Sequence, residues 1–422
     1  MTHAATHSSL LDLATLVTGV AALCFYIVRR FTRLPLAVGL VMTSLALAGA
    51  ALGLDRLMPG LGVRAGVGAA LDGIDFSGFV LGGILSFLIF AAAMEISLTA
   101  LRQRWKSVAV LATLGVALST LVFGLTLPLV STVGLAAALL LGAMQSATDP
   151  VSVNALLKTL PGIPDSFKVK LAAESLLNDG VAVVVFATLL PFALASGETP
   201  SVGGALLLFL RQAGGGLALG GAAALLASWL IRSVDDAALS LLLSILAVLA
   251  AYALSLHLDV SGPLAMVVLG ITLGNQRPGG ALTAAGHAQL HHFWEMVDVV
   301  MNAVLFSLMG LQVLVIDFRP QQIGFILAAI AASLLARFLS VALPLWLLNR
   351  ISNEQSSLGG ILVLTWGGLR GGILLALALA LPPGQNLLKV GAYAIVLFTL
   401  IVQGLTVDRL IRRVFPENVM KS

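Results

Sequence analysis

Long apolar runs alternate with short polar segments along nearly the whole chain. Each run holds roughly 20 residues, enough for a helix to cross a hydrocarbon core of about 30 Å. We predict about thirteen membrane-spanning helices, and hence an all-α polytopic membrane protein. The predicted spans start near Leu10, Leu34, Phe76, Val108, Val133, Val169, Val202, Leu239, Ser261, Phe293, Gln322, Leu358 and Leu387.

The composition agrees with a membrane protein. Of the 422 residues, 59% are hydrophobic and 10% are charged, whereas a soluble protein carries about 25% charged residues. The single cysteine, Cys24, excludes an intramolecular disulfide. We find no Walker motif, no HExxH and no metal-ligand spacing of Cys and His. The sequence therefore predicts neither an enzyme nor a nucleic-acid partner, and no bound cofactor.

Basic residues are concentrated in alternate connections between the predicted spans. "RRFTR", "LRQRWK" and the C-terminal segment are rich in Arg and Lys, and the intervening connections hold few. Cytoplasmic loops carry the excess of Lys and Arg. We therefore predict a multi-pass protein of the cell (inner) membrane, with the N-terminus outside and the C-terminus in the cytoplasm. An odd number of spans agrees, and also permits two inverted six-helix repeats joined by one span.

One apolar run is interrupted by "QSATDPVSVNALL". Pro150 has no N–H, so the Ser146 carbonyl loses its helical donor, and a residue before proline disfavours helical dihedrals. We expect the backbone to unwind near Ala147–Asp149. Inside a membrane such backbone must be buried in protein or line a wet cavity, and its oxygens suit a cation. The alternative is a proline kink with an acid at a helix end.

A second polar cluster is "ESLLNDG". On a helix, Ser175 and Asp179 share one face, and Glu174 and Asn178 form the neighbouring row. One turn thus presents two carboxylates, a hydroxyl and an amide. A polar seam that only joins helices is the alternative, although such a seam rarely needs two acids in one turn.

Other charges also lie inside predicted spans. Arg370 lies within "WGGLRGG", whose glycines predict a distorted or tightly crossed helix. Arg337 needs a partner of opposite charge, and Glu174 is the best candidate; the alternative for either arginine is extension to the membrane interface. Glu95 lies late in the third span. We place His287, His291 and His292 in a solvated loop, with metal binding or pH sensing as alternatives.

The segments "ATDPVSV", "AESLLNDGVAVVVF", "LARFLSV" and "WGGLRGG" resemble the monovalent cation–proton antiporter family, in its NhaP/NHE sodium–proton exchanger branch. The resemblance covers nearly the whole chain. It implies a homodimer, with two crossed, unwound helices in each protomer, here the Asp149 and Arg370 spans. It also implies dimerisation helices at about 1–105 and 202–316, a mobile ion-transporting core at about 106–201 and 322–410, and a short cytoplasmic tail at 411–422.

The resemblance assigns roles by position. The acid of the Asn–Asp pair binds the cation, and here that acid is Asp179. Glu95 has the context "AAAME", which departs from the family pattern, and Asn178 replaces a second aspartate of the electrogenic branch. The implied ion-binding residues are Asp179, Asp149, Thr148, Ser175, Asn178 and Glu95, with Na⁺ held by the first four. Glu174 and Arg337 match a structural ion pair, and Arg370 supplies a core charge.

The expected function is secondary active exchange of Na⁺ or Li⁺ for H⁺. Cation and proton would compete for Asp179 as the site alternates between the two sides of the membrane. Because Asn178 is neutral, we expect electroneutral one-for-one exchange. A K⁺/H⁺ antiporter of the same fold is the alternative, and a cation channel or an intramembrane protease is a poorer fit. The expected partners are membrane lipid, the transported monovalent cations and a second copy of the chain.

Overall fold

The computed structural model describes residues 2–58, 78–149, 165–194, 201–234, 236–276, 284–314, 316, 318–352, 357–382 and 384–414. Regular secondary structure within these ranges is helical throughout. Nine helices of the described part are long and apolar enough to cross a membrane, and shorter apolar helices accompany them. The prediction of an all-α polytopic membrane protein is confirmed.

We number the helices in chain order. They are α1 (Thr2–Phe31), α2 (Leu36–Leu57), α3 (Leu85–Met94, preceded by a π-helical segment Phe79–Ile84), α4 (Leu98–Val130), α5 (Leu135–Ser146), α6 (Asp165–Leu194), α7 (Val202–Ser233), α8 (Ala237–His257), α9 (Gly262–Gly274), α10 (Ala284–Leu311), α11 (Ile323–Ser352), α12 (Leu358–Trp366), α13 (Gly372–Leu379) and α14 (Asn386–Val414).

Most predicted spans correspond to one helix each, and the twelfth corresponds to the pair α12 and α13. The exact count of thirteen crossings stays a prediction. Three helix starts differ clearly from those we predicted. α1 begins at Thr2 instead of near Leu10, α4 at Leu98 instead of near Val108, and α10 at Ala284 instead of near Phe293. All three helices start in polar sequence, which hydropathy assigns to a tail or connection although the backbone is helical.

The earlier start of α10 corrects the placement of the histidines. His287, His291 and His292 lie on the first turns of α10 and not in a loop. The rings of His287 and His291 are 4.6 Å apart between centroids. A ring nitrogen of His291 lies 3.3 Å from the carbonyl oxygen of Gly274, at the end of α9.

Packing separates the helices into two groups. The helices α4, α5, α6, α11, α12, α13 and α14 pack chiefly on one another and form what we call the core group. The helices α1, α2, α3, α7, α8, α9 and α10 form the scaffold group. Contacts of α6 with α9 and of α10 with α13 join the groups. A buried face is therefore shared between them, and the candidate site lies at this junction.

Glycine allows close packing at the joint between the groups. A Cβ atom at Gly180 of α6 would lie 2.5 Å from a Leu264 side-chain atom of α9. Such a distance is too short for real carbon atoms, so a larger residue would push the helices apart. α6 is continuous through Gly180.

Candidate functional site

The end of one helix meets the break between two others. α5 ends at Ser146, and Ala147 has extended dihedrals (φ −57°, ψ 139°). The prediction that the chain unwinds at Ala147–Asp149 is confirmed, although Pro150 itself lies outside the described residues. The other break separates α12 from α13. The N–H of Asp149 donates to the carbonyl of Leu369 at 2.8 Å, which ties the two unwound segments together.

Arg370 caps the broken end of α5. Its side chain is buried, and Nη1 donates to the carbonyls of Ser146 at 2.8 Å and Ala147 at 2.9 Å. These oxygens lie at the end of a helix, where carbonyls lack intrahelical partners and the macrodipole is negative. The positive charge of Arg370 therefore stabilises the interrupted helix. Its backbone N–H donates to the Thr399 hydroxyl at 3.2 Å.

Asn178 supports the same break from α6. Its side-chain Nδ2 donates to the Ser146 carbonyl at 2.9 Å and to the Thr148 hydroxyl at 3.3 Å. The carbonyl that Pro150 deprives of a backbone donor thus has two side-chain donors, from Asn178 and Arg370. Asn178 Oδ1 is buried and has no hydrogen-bond partner among the described residues.

Asp179 is fully buried, next to Asn178 on α6. Apart from a weak interaction with the backbone of Thr148, neither of its carboxylate oxygens makes a hydrogen bond of standard geometry within the described part of the chain, and the Ser175 hydroxyl there has no partner. Buried polar atoms are nearly always hydrogen-bonded, so exceptions require an explanation. Bare carboxylate oxygens beside a cavity are what a transported cation or proton would use.

The cavity beside Asp179 has a volume of about 20 Å³, enough for one water molecule or a small ion. Its polar side chains are those of Thr148, Asp149 and Asp179. Ser175 is one turn away on α6 and does not line it. The apolar wall includes Leu88 of α3 and Leu305 of α10, both from the scaffold group.

A glycine is required where the second break approaches Asp149. A Cβ atom on Gly371 would lie 2.7 Å from the Cβ and Cγ atoms of Asp149. A larger residue at this position would displace the carboxylate or separate the two unwound segments. The glycines around Arg370 therefore allow the crossing that brings Asp149 next to Asp179 in the cavity wall.

Glu174 and Arg337 form a buried ion pair between α6 and α11. Arg337 donates from Nη1 to Glu174 Oε1 at 2.8 Å and from Nη2 to Oε2 at 3.2 Å. Nη2 also donates to the Leu364 carbonyl of α12 at 3.2 Å. The paired donors of a guanidinium match the two oxygens of a carboxylate. The pair therefore holds three helices of the core group together.

Glu95 lies apart from this cluster. It is the exposed residue that follows the last turn of α3. Ile89 of the same helix lines the cavity, and six residues of helix separate the two positions by about 9 Å. The structure does not bring Glu95 into the cavity, so its predicted part in ion binding has no support from this arrangement.

Three buried polar residues were missed by sequence reasoning. Thr399 accepts from the Arg370 N–H, and Gln403 lies one turn further along α14. Gln145 of α5 donates to Ser119 of α4 and accepts from Ser333 of α11, both at 2.9 Å. Polar residues inside otherwise apolar spans were the available signal, but the prediction was limited to ionisable residues and to the polar residues that share a motif with an acid.

The sequence matches the family described as "Sodium/hydrogen exchanger, transmembrane" over residues 19–413. The chain belongs to this family. The match spans both helix groups and every residue of the cavity. The predicted class of sodium–proton antiporter, a multi-pass membrane transporter and not an enzyme, is thereby confirmed for this exchanger.

Individual relatives agree with the family. The exchanger is 36% identical to the Na(+)/H(+) antiporter NhaP of Pseudomonas aeruginosa, over 98% of this chain and 99% of that protein. It is 32% identical to the Na(+)/H(+) antiporter NhaH of Halobacillus dabanensis, over 80% of this chain and 83% of that one.

The fold of the exchanger resembles that of the sodium proton antiporter MjNhaP1 from Methanocaldococcus jannaschii. The TM-score is 0.75, over 98% of this chain and 100% of that chain. The sequence identity is 18%, so this likeness supports the fold only. It agrees with the crossed, discontinuous helices described above.

Proposed function

We propose that the exchanger moves one Na⁺ against one H⁺, and that both ions compete for the Asp179 carboxylate. The observation that carries the proposal is that the buried Asp179 carboxylate makes no hydrogen bond of standard geometry in the described part of the chain and lies beside an ion-sized cavity shared with Asp149. A buried carboxylate is stabilised either by a cation or by a proton. Protonation of Asp179 therefore releases Na⁺, and loss of that proton allows Na⁺ to bind.

The cation ligands we propose are oxygens of Asp179, Asp149 and Thr148, which line one cavity. Hard cations prefer carboxylate, hydroxyl and carbonyl oxygens. Ser175 has a buried hydroxyl without a described partner one turn away, so it joins the site if α6 shifts slightly. Asn178 acts mainly through the Ser146 carbonyl and the Thr148 hydroxyl, and so shapes the site.

We propose alternating access by movement of the core group against the scaffold group. The cavity is lined from both sides of this boundary, by Asp149 and Asp179 of the core group and by Leu88 and Leu305 of the scaffold group. Sliding along the apolar wall changes which side of the membrane the cavity faces. The proposed assembly is a homodimer through scaffold helices, with the N-terminus outside and the C-terminus in the cytoplasm.

Na⁺ is the cation we favour over K⁺. NhaP of Pseudomonas aeruginosa and NhaH of Halobacillus dabanensis are named Na(+)/H(+) antiporters, and both cover most of this chain. Li⁺ is smaller and accepts the same oxygen ligands. A screen of Na⁺, Li⁺, K⁺ and Rb⁺ as cations that dissipate a pH gradient in proteoliposomes tests the order.

The direct test of the shared site is Asp179→Asn. The amide keeps the shape of the side chain but neither titrates nor offers two anionic oxygens. We expect Na⁺-driven dissipation of the pH gradient to fall to the rate of empty liposomes, while the purified protein keeps its size-exclusion profile. Asp408→Asn, at an exposed acid of α14, is the matched control and should transport normally.

Near-normal exchange by folded Asp179→Asn would contradict competition at this carboxylate. Loss of exchange in both variants would point to a general loss of function instead. If K⁺ dissipated the pH gradient as fast as Na⁺ in the unmodified protein, the ion preference would be contradicted, but the role of Asp179 would not be affected.

A further inference from the structure

A second buried cavity lies among α11, α14 and the break between α12 and α13. Its volume is about 10 Å³, close to the least that holds one water molecule. Arg337 and Ser333 of α11, Gly368 and Arg370 of the break, and Gln403 of α14 contribute to its lining. None of the residues that line it also lines the cation cavity.

Two polar atoms of the cavity's side chains lack partners within the described ranges. Arg337 Nε is a buried donor without an acceptor, and Gln403 Oε1 is a buried acceptor without a donor. Both side chains are almost completely buried. An unmade hydrogen bond of this kind costs the full desolvation of the group. The two atoms are complementary, because Arg337 Nε needs an acceptor and Gln403 Oε1 needs a donor.

A single water molecule has the donors and acceptors that both atoms need. Its oxygen would accept from the Arg337 Nε–H, and one of its hydrogens would be donated to Gln403 Oε1. The second hydrogen has an acceptor in Ser333, whose hydroxyl already donates to Gln145 Oε1 at 2.9 Å and keeps free lone pairs. The resulting three hydrogen bonds are typical of a buried water.

We propose that this cavity is a specific site for one ordered water that joins α11 to α14 behind the crossed breaks. The water accepts from Nε, the third guanidinium nitrogen of Arg337, whose Nη1 and Nη2 already donate to Glu174. The guanidinium is then held by the water at Nε and by the Glu174 carboxylate at Nη1 and Nη2. Gln403 is thus a positioning residue that acts on the Glu174 pair through the water and does not touch the cation.

The position of Gln403 agrees with this role. α14 is π-helical over Thr399–Gln403, and π-helical segments occur frequently at functional sites. The same segment provides the Thr399 hydroxyl that accepts from the Arg370 N–H. Irregular backbone in α14 thereby directs two polar side chains at the break that carries Arg370.

The decisive experiment is a structure of the full-length exchanger at a resolution that shows ordered water, in buffers with chloride and with gluconate. We expect one density peak within hydrogen-bond distance of Arg337 Nε and Gln403 Oε1 in both buffers. Gln403→Met, of similar length without an acceptor, should lose the peak. Gln403→Glu, which keeps an oxygen there, should retain it.

Transport and stability provide a second readout. We expect Gln403→Met to lower the melting temperature by a few degrees and the maximal exchange rate several-fold, with little change in the half-saturating Na⁺ concentration. Gln403→Glu should recover most of the rate. Val402→Ala, at the neighbouring exposed residue of α14, is the matched control and should leave both quantities unchanged.

Three outcomes would overturn the water site. A direct Arg337–Gln403 hydrogen bond with no density between them would show that the cavity closes on itself. A peak that appears only with chloride would identify an anion held by the two guanidinium groups. Unchanged rate and stability in Gln403→Met would show that the bridge positions nothing. None of these results bears on the competition of Na⁺ and H⁺ at Asp179.

Discussion

At the scale of single residues, the Ser146 carbonyl explains why a neutral amide stands beside Asp179. Proline four residues later deprives this oxygen of its helical donor. Asn178 and Arg370 provide donors from two other segments of the chain. An aspartate at position 178 could accept hydrogen bonds but, when ionised, could not make these donations. The Asn178 amide therefore maintains the geometry of the break, and it does not need to carry protons.

Asn178→Leu tests this structural role. Leucine has the same branching as asparagine, although it is larger, and it removes both donations, so the unwound segment loses support at Ser146 and Thr148. We expect the stability to fall by about 1–3 kcal/mol and the exchange rate to fall several-fold. Thermal unfolding in detergent and proteoliposome exchange measure the two effects.

The matched control for this variant is Thr188→Val on the same helix. The Thr188 hydroxyl is buried but donates only within α6, to the Val184 carbonyl at 2.8 Å. Its removal should cost less stability and leave exchange nearly unchanged. Equal losses in Asn178→Leu and Thr188→Val would mean that the bridge to the break is unimportant.

At the scale of helices, the Glu174–Arg337 pair links α6, which carries Asp179, to α11 and α12. A buried pair seldom raises stability above that of apolar residues, but removal of one member leaves an uncompensated charge. The pair therefore fixes how these helices pack. It keeps α6 in register with the end of α5, which Asn178 of α6 supports.

Neutralisation of either partner should be costly. We expect Glu174→Gln or Arg337→Met to lower stability by about 3–5 kcal/mol, and the exchanged pair Glu174→Arg with Arg337→Glu to recover part of the loss. The exposed Asp408–Arg412 pair, 3.1 Å apart, is the control and should contribute less than about 1 kcal/mol. Strictly additive losses in a double-mutant cycle would contradict the contact.

The sequence was sufficient to predict those features that follow from local chemistry or from charge balance. Pro150 predicts the end of α5, and a lone intramembrane Arg337 predicts an acidic partner. The long N-terminal extension of α10, which carries the histidines, could not be found from hydropathy because it lies in polar sequence. Gln403 and Thr399 depend on the π-helical register of α14, which leaves no periodic pattern. The prediction that Glu95 binds the ion rests on its position in the sequence, which does not give its distance from the cavity.

At the scale of the whole molecule, the cavity lies where the two helix groups meet, and both groups contribute to its wall. The effect of the membrane potential on exchange then depends only on the net charge that crosses with each movement. If Asp179 alone alternates between Na⁺ and H⁺, the loaded core group carries the same charge in both directions. The membrane potential then performs no work on the cycle.

This charge balance makes a quantitative prediction for reconstituted protein. One pH unit is worth about 1.36 kcal/mol, so one-for-one exchange should stop when the opposing Na⁺ gradient reaches about tenfold. The stopping point should be the same at zero potential and at a clamped potential of about 100 mV, which is worth about 2.3 kcal/mol per net charge. Na⁺ flux at clamped pH, with potassium and valinomycin setting the potential, measures both quantities. A stopping point that moves with potential would mean that a second proton crosses in each cycle. Asp149, the other carboxylate of the cavity, would then be the first residue to replace with asparagine.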